Sequence, residues 1–144
     1  MFDLSRLDTY TLSNSGVSLP LTFNGKIVYT DEGHTININV IGQDGDHFKS
    51  VKYGAMRNAR DLQKSKKLQD EPTFEEQEEE AKKRCADFIC GWSDNLMLDG
   101  EQFKYSRENA VKLMLDVRFT AIYLFVNNEV MNRENFLPQP LNSF

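Results

Sequence analysis

Apolar and polar residues alternate with a period of two between residues 17 and 42, which is the pattern of strands with one buried face. The apolar positions of this segment are Val17, Leu19, Leu21, Phe23, Ile36, Ile38 and Val40. The dipeptide Asn24-Gly25 favours a type I′ turn between two strands. Pro20 cannot donate a ladder hydrogen bond and therefore predicts a strand at a sheet edge. We expect a small three-stranded antiparallel meander near the N-terminus.

The period becomes helical after Gly42, and about four helices are predicted within residues 44–131. Side chains that can cap a helix mark the predicted starts, because each can accept a hydrogen bond from a free backbone N–H. These residues are Asp44 or Asp46, Thr73, Ser106 and Asp116. The second helix is expected to reach Trp92, because Phe88, Ile89 and Trp92 continue its apolar face.

The chain is predicted to form a single α+β domain over residues 1–144. Its length is sufficient for one hydrophobic core without disulfides or metals. The strands fall within residues 17–42, and the helices follow within residues 44–131. Two prolines near the end exclude a regular helix there, so residues 132–144 are expected to form an extended C-terminal tail.

The chain carries a net charge of −5, from 22 acidic and 17 basic residues. This surplus of carboxylates argues against general binding to nucleic acid, whose phosphates require Lys and Arg. The first ten residues lack a basic-then-apolar pattern, and no apolar run approaches the roughly 20 residues of a membrane span. Cys85 and Cys90 point to different faces of the second predicted helix, so we expect reduced thiols in a cytoplasmic protein.

Charge is unevenly distributed around the connection between the first two predicted helices. Residues 49–67 hold seven basic side chains and one acidic one, whereas residues 70–80 hold seven acidic side chains and no basic one. We interpret these segments as two neighbouring helices whose opposite charges favour antiparallel pairing. The alternative is a basic surface for nucleic acid or for an acidic partner.

Residue patterns of known catalytic or metal sites are missing from the sequence. There is no phosphate-binding G-x-x-x-x-G-K-[ST] loop, no G-x-G-x-x-G fingerprint and no G-x-S-x-G elbow. His34 and His47 do not combine with Cys85 or Cys90 in the spacing of a zinc site. The chain is therefore predicted not to be an enzyme and to need neither cofactor nor metal.

Two segments hold more apolar residues than one buried stripe requires. In the last predicted helix, Leu124 and Phe125 are candidates for a surface that meets a partner, although the whole helix could instead be central to the core. In the tail the candidates are Phe136, Leu137, Leu141 and Phe144, which could dock on a partner in extended form or pack on their own domain.

Short motifs spread over nearly the whole chain share one order with a known family. They are Phe2-Asp3-Leu4, Leu7-Asp8-Thr9, Gly42-Gln43-Asp44, Phe48-Lys49, Gly91-Trp92, Leu98-Asp99-Gly100, Tyr105-Ser106-Arg107-Glu108-Asn109-Ala110 and Asn132-Arg133-Glu134-Asn135-Phe136-Leu137. In this order the chain resembles the tail assembly chaperones of long-tailed bacteriophages. It departs from the family pattern in the bulky Tyr105 and in the proline-containing extension after Phe136.

The resemblance implies an assembly factor that acts without catalysis. Such proteins bind the helical tape measure protein and tail tube subunits in the host cytoplasm, and they are absent from the mature virion. The family has no catalytic residues to transfer, and the matching positions are read as structural: Trp92 in the core, Gly100 in a turn and Ser106 as a helix cap. Self-association is a further expected interaction. The alternatives are a virion component, such as a tail tube or head–tail connector subunit, and a small nucleic-acid-binding regulator.

Overall fold

The computed structural model describes residues 1–64 and 72–141 of the chain. In chain order the strands are β1 (Val17–Pro20), β2 (Thr22–Phe23), β3 (Lys26–Ile27), β4 (Asn37–Val40), β5 (Ile89–Trp92), β6 (Met97–Leu98) and β7 (Glu101–Gln102). The helices are α1 (Tyr10–Ser15), α2 (Asp46–Lys64), α3 (Phe74–Ala86), α4 (Arg107–Leu115) and α5 (Thr120–Val130), with 3₁₀ turns at Leu4–Leu7, Val117–Phe119 and Arg133–Phe136. The predicted α+β class is confirmed, and α2 to α5 correspond to the four predicted helices.

The central sheet is antiparallel and has three strands in the order β1–β4–β5. Pro20 lies in β1 at a sheet edge, as predicted, and pairs with Asn37 of β4. The predicted meander order is wrong. The segment after Asn24-Gly25 does not enter this sheet, and the third strand comes from residues 89–92, which were expected to be helical.

The segment between β1 and β4 forms a hairpin of its own, β2–β3. Its turn is at Asn24-Gly25, as predicted, and both residues have positive φ, 51° and 79°. Leu21 lies between β1 and this hairpin, and its side chain is buried in the core. Its N–H donates to Ile36 O at 2.7 Å, and its carbonyl accepts from Val28 N–H at 3.0 Å.

Strand β5 contains a bulge that explains why its pattern suggests a helix. Val40 pairs with Ile89, and Asn39 pairs with Gly91, so Cys90 is an extra residue without a partner across the sheet. A bulge of this kind shifts the alternation of side chains by one position. Ile89 and the residue three positions later are therefore both buried, which is a spacing that helices share.

The two cysteines are thus on different elements, and the expectation of a shared helix is wrong. Cys85 is on α3, and Cys90 is at the bulge of β5. Both are free thiols, as predicted. Burial raises the pKa of Cys85 to about 12, so this thiol stays protonated within the core.

Helices α3, α4 and α5 pack on one another, and α5 also contacts β4. The core residues with the least exposure come from β4, the helices and the C-terminal turn: Ile38, Val40, Cys85, Ala110, Met114, Val126, Val130 and Phe136. Burial of each large apolar side chain stabilises the fold by about 1.5–3 kcal/mol.

Two of the four predicted helix caps are confirmed, and a third residue, Asp116, caps a 3₁₀ turn and not α5 itself, whose start has no side-chain cap. Thr73 Oγ1 accepts from Glu76 N–H at 3.1 Å at the start of α3. Ser106 Oγ accepts from Asn109 N–H at 3.0 Å at the start of α4. Asp116 accepts from the N–H two residues later at 3.0 Å and begins a 3₁₀ turn that leads into α5. Each cap satisfies a backbone donor that the helix itself cannot satisfy.

The carboxylates near the start of α2 bind other parts of the chain. Asp44 accepts from Thr9 Oγ1 at 2.6 Å and from Arg133 Nε at 2.8 Å, and Asp46 accepts from the hydroxyl of Tyr10 at 2.7 Å. Asp44 therefore links the N-terminal segment to the C-terminal turn. The hydrogen bonds from Arg133 and Thr9 hold the pKa of the Asp44 carboxyl below its ordinary value of 3.8.

We predict a pH-dependent contribution of Asp44 to stability. Because its pKa is lower in the folded chain, the contribution is fully present above the unfolded value of about 4 and is lost as the pH falls through the lower folded pKa. The difference in unfolding free energy between the wild type and Asp44→Asn should be constant at neutral pH and narrow in acid. Urea titrations at a series of pH values measure it, with Asp31→Asn in an exposed turn as the control. Parallel curves at every pH would contradict the assignment.

Trp92 joins β5 to the segment that includes the β6–β7 hairpin. Its indole N–H donates to Phe103 O at 2.6 Å, and its ring stacks on the Phe103 ring with centroids 5.2 Å apart. The Tyr105 ring meets the Trp92 ring edge-on, also at 5.2 Å. The hairpin turns at Asp99-Gly100, where both residues have positive φ, as the predicted turn requires.

Removal of this ring should therefore be costly. Trp92→Ala is expected to lower the unfolding free energy by about 3–5 kcal/mol, because a large buried ring is lost and a cavity remains. Trp92→Phe keeps an aromatic ring but leaves the Phe103 carbonyl without its donor, which costs about 1–3 kcal/mol. Equilibrium urea unfolding measures both values. Equal losses for the two variants would show that the hydrogen bond, and not packing, dominates.

Candidate functional site

An exposed groove lies between the β2–β3 hairpin and α5, and it contains the predicted partner residue Leu124. We call it the hairpin groove. Its volume is about 270 Å³, and its lining includes Phe23, Gly25, Ala121, Leu124, Phe125 and Asn128. Leu124 is 50% exposed and Phe23 is 57% exposed, so each side of the groove presents one apolar side chain to solvent.

The helical side of the hairpin groove follows from the sequence of α5. Ala121, Leu124, Phe125 and Asn128 are spaced three and four residues apart, so they lie along one face of the helix. The small side chain of Ala121 leaves room for an approaching group. Asn128 supplies an amide at the other end. The face is therefore apolar in its middle and polar at one end, which suits the side of another helix.

Phe125 and Phe136 belong to the core, so they are not exposed partner-binding residues, and the alternative in which they pack on their own domain is the one found. Phe125 is 8% exposed and Phe136 is 1% exposed. Phe125 follows Leu124 by one residue, which turns its side chain by about 100° around the helix and towards the interior. Phe125 also contributes to the lining of the hairpin groove.

The C-terminal segment is held to the domain and does not form a wholly extended tail. Residues 133–136 form a 3₁₀ turn because the prolines begin only at Pro138, and the turn packs on α1. Phe136 fits beside Gly42, where an added Cβ would lie 3.0 Å from its Cδ1 atom. Gln43 Nε2 also donates to Met131 O at 2.8 Å.

The remaining tail candidates differ in exposure. Leu137 is half-buried and Leu141 is exposed. Phe144 lies outside the described residues. Of the predicted partner-binding residues in the described chain, Leu124 and Leu141 are therefore the ones open to solvent, and they are on separate elements.

This division of the tail predicts two different mutational effects. Phe136→Ala should lower the unfolding free energy by about 3–5 kcal/mol, because it empties a site in the core. Leu141→Ala should change it by less than about 0.5 kcal/mol, as expected for an exposed residue. Thermal or urea unfolding of both variants measures the difference. A loss of several kcal/mol for Leu141→Ala would show that this side chain is packed against the domain.

A second exposed groove lies beside α2, and we call it the α2 groove. Its volume is about 410 Å³, and it is lined by Phe48, Lys52, Ala55, Met56 and Ala59 of α2, with Arg84 and Phe88 opposite. Helix α2 is amphipathic but has no buried residue. Phe48, which stacks on Phe88 with ring centroids 4.5 Å apart, and Val51 are its residues packed against the core.

The pairing of basic and acidic helices that the sequence suggests is not found. The ion pairs of α3 are internal: Glu78 with Lys82, Glu79 with Lys83, and Glu80 with Lys83, at 3.2, 3.3 and 3.7 Å. Over residues 1–64 and 72–141, the basic residues of α2 form no ion pair. The physical reason is that lysines one helical turn away pair with Glu78, Glu79 and Glu80 within α3. Part of both charged segments, residues 65–71, lies outside the described chain.

A third groove gathers ionisable side chains, but its groups are engaged in structural contacts. Asp87 forms an ion pair with Arg107 at 3.3 Å, and a ring nitrogen of His47 lies 3.1 Å from Asp87 O. The hydroxyl of Tyr105 donates to a carbonyl of β5 at 3.0 Å. Burial raises the pKa of the Cys90 thiol, so the reactive thiolate is disfavoured.

Neither a metal site nor a membrane span is found where the structure is described. Within residues 1–64 and 72–141, no three side chains of His, Cys, Asp or Glu form a group that could hold a metal ion. Over the same residues, no helix combines the length and the apolar composition needed to cross a bilayer.

The sequence did not single out Phe23 or Phe74 as exposed. Phe23 has the alternation of an inward-facing strand residue, and that pattern holds only if the hairpin stays in the sheet. Phe74 follows the cap Thr73, where a helix is just beginning and has little to pack against. A large apolar residue at the first position of an otherwise polar helical turn is the signal that could have identified it.

Comparison with known proteins gives no match: no family model, no curated protein and no solved structure matches the chain.

Proposed function

We propose that this chain is a tail assembly chaperone of a long-tailed bacteriophage, which binds a helical segment of the tape measure protein in the hairpin groove. It acts in the host cytoplasm, helps to recruit tail tube subunits and is absent from the mature virion. The order of sequence motifs supports the class of protein, and the exposed hairpin groove is the observation that carries the binding role.

The hairpin groove suits an amphipathic helix because of where its apolar groups lie. Leu124 and Phe23 stand on opposite sides, on a helix and on a hairpin, so a partner side chain between them would contact both. Asn24 and Asn128 can exchange hydrogen bonds with polar residues along the edge of the partner. Burial of the exposed apolar area is the driving force, because water is removed from both surfaces.

The net charge of −5 is consistent with this role. A net charge away from zero helps to keep a protein with uncovered apolar side chains in solution. A tape measure protein with long apolar faces gains the same protection when it is bound.

The proposal predicts that the chain keeps the tape measure protein of the same genome in solution. The two proteins are co-expressed, and the soluble fraction of the tape measure protein is measured with wild type, Leu124→Asp and Val117→Asp. Leu124→Asp places a charge in the groove and should abolish protection, since an unpaired buried charge is strongly unfavourable. Val117 is exposed and outside the groove, so Val117→Asp should protect like wild type.

The outcomes separate the class of protein from the location of its site. If the tape measure protein precipitates equally with and without this chain, the chaperone function is wrong. If Leu124→Asp protects as well as wild type, the hairpin groove is not the site. Mass spectrometry of purified virions is the complementary measurement, because stoichiometric presence of the chain would favour the structural virion component instead.

A nucleic-acid-binding regulator is the second candidate, and α2 is the observation that favours it. Lys49, Lys52, Arg57, Arg60 and Lys64 make no ion pair within the described residues. Binding to DNA or RNA that weakens steeply as salt rises would support this function.

A further inference from the structure

The α2 groove combines an apolar floor with two cations that have no anionic partner in the described chain. Phe48, Ala55, Ala59 and Phe88 supply much of its apolar surface, and Lys52 and Arg84 also line it. Neither cation forms an ion pair over residues 1–64 and 72–141. A matching occupant would place a large apolar side chain in the groove and carboxylates beside it.

The start of α3 has this chemistry. Phe74 is 87% exposed, and Glu75 and Glu76 follow it directly. In the described chain these two carboxylates form no ion pair. The protein therefore presents an apolar side chain with unpaired anions at one place and an apolar groove with unpaired cations at another.

Phe74 does not fill the groove of its own chain. It is absent from the groove lining, and it lies on the same helix as Arg84, ten residues away. A rise of 1.5 Å per residue separates these positions by about 15 Å along the axis of α3. Moving Phe74 to Arg84 would require α3 to unfold, whereas a second copy can bring its own Phe74 there.

We propose that two copies of this chain form a symmetric dimer in which Phe74 of each copy enters the α2 groove of the other. Glu75 and Glu76 of the entering helix then face Lys52 and Arg84. The arrangement is reciprocal, as a twofold interface requires, because each copy supplies one groove and one Phe74. It pairs across copies the opposite charges that the two helices leave unpaired within one chain. The proposal concerns a different surface from the hairpin groove and does not depend on the chaperone function.

The test is sedimentation equilibrium of the full chain over a series of concentrations, at low and high salt. Wild type should show a monomer–dimer equilibrium. Phe74→Ala should weaken the dimer by about tenfold or more, because a central aromatic residue is removed from the interface. Leu4→Ala, which truncates another exposed apolar side chain to alanine, should leave the dissociation constant unchanged. Thermal unfolding of each variant as a monomer checks that the fold is kept.

Charge reversal tests the proposed pairing directly. Lys52→Glu alone should weaken the dimer, and so should Glu75→Lys combined with Glu76→Lys. The triple variant should recover part of the lost affinity, since the signs are exchanged and the attraction returns.

Three results would overturn the proposal: a monomer at every concentration, a dimer that Phe74→Ala leaves unchanged, or no recovery in the triple variant. A monomer whose binding to the tape measure protein is lost in Lys52→Glu would instead assign the α2 groove to a partner helix. The dimer would then be wrong while the chaperone function stood.

Discussion

Strand β4 is hydrogen-bonded along both edges, and its residues Ile38 and Val40 are almost wholly buried. The positions of the elements around β4 are therefore tightly constrained. Strands β1 and β5 must hold their registers to satisfy its backbone, and α5 must stay on it. The C-terminal turn adds Phe136 to the same core. Apolar surface stays open on elements that β4 does not engage, the β2–β3 hairpin and most of α2, and at Leu124 on α5.

Local chemistry explains which parts of the fold the sequence predicts. The turns at Asn24-Gly25 and Asp99-Gly100 and the caps at Thr73 and Ser106 depend on neighbouring residues only. The strand order depends on pairing between distant segments, which alternation cannot specify. Strand β5 was mistaken for helix because its bulge changes the spacing of buried residues from two to three.

For the candidate surfaces, too, the sequence does not specify contacts between distant segments, and here the contacts of single side chains are affected. An excess of apolar residues on α5 indicates that some must face outwards, and Leu124 does. This excess does not show which of Leu124 and Phe125 faces outwards, because that depends on how α5 is rotated about its axis against the sheet. For Phe136 the sequence left docking on a partner and packing on the domain open for a related reason: the space beside Gly42 that receives it is created by a segment more than ninety residues earlier.

Helix α2 is anchored at one end, through Phe48 and Val51, and has no buried residue along its length. Its distal half therefore adds little to the free energy of folding. Selection acts on substitutions in this half of α2 only through their effect on binding. Substitutions in β4 are selected first for their effect on folding. Related chains under pressure from changing partners can thus diversify this half of the helix freely, and sequence drift should be concentrated there while the sheet stays constant.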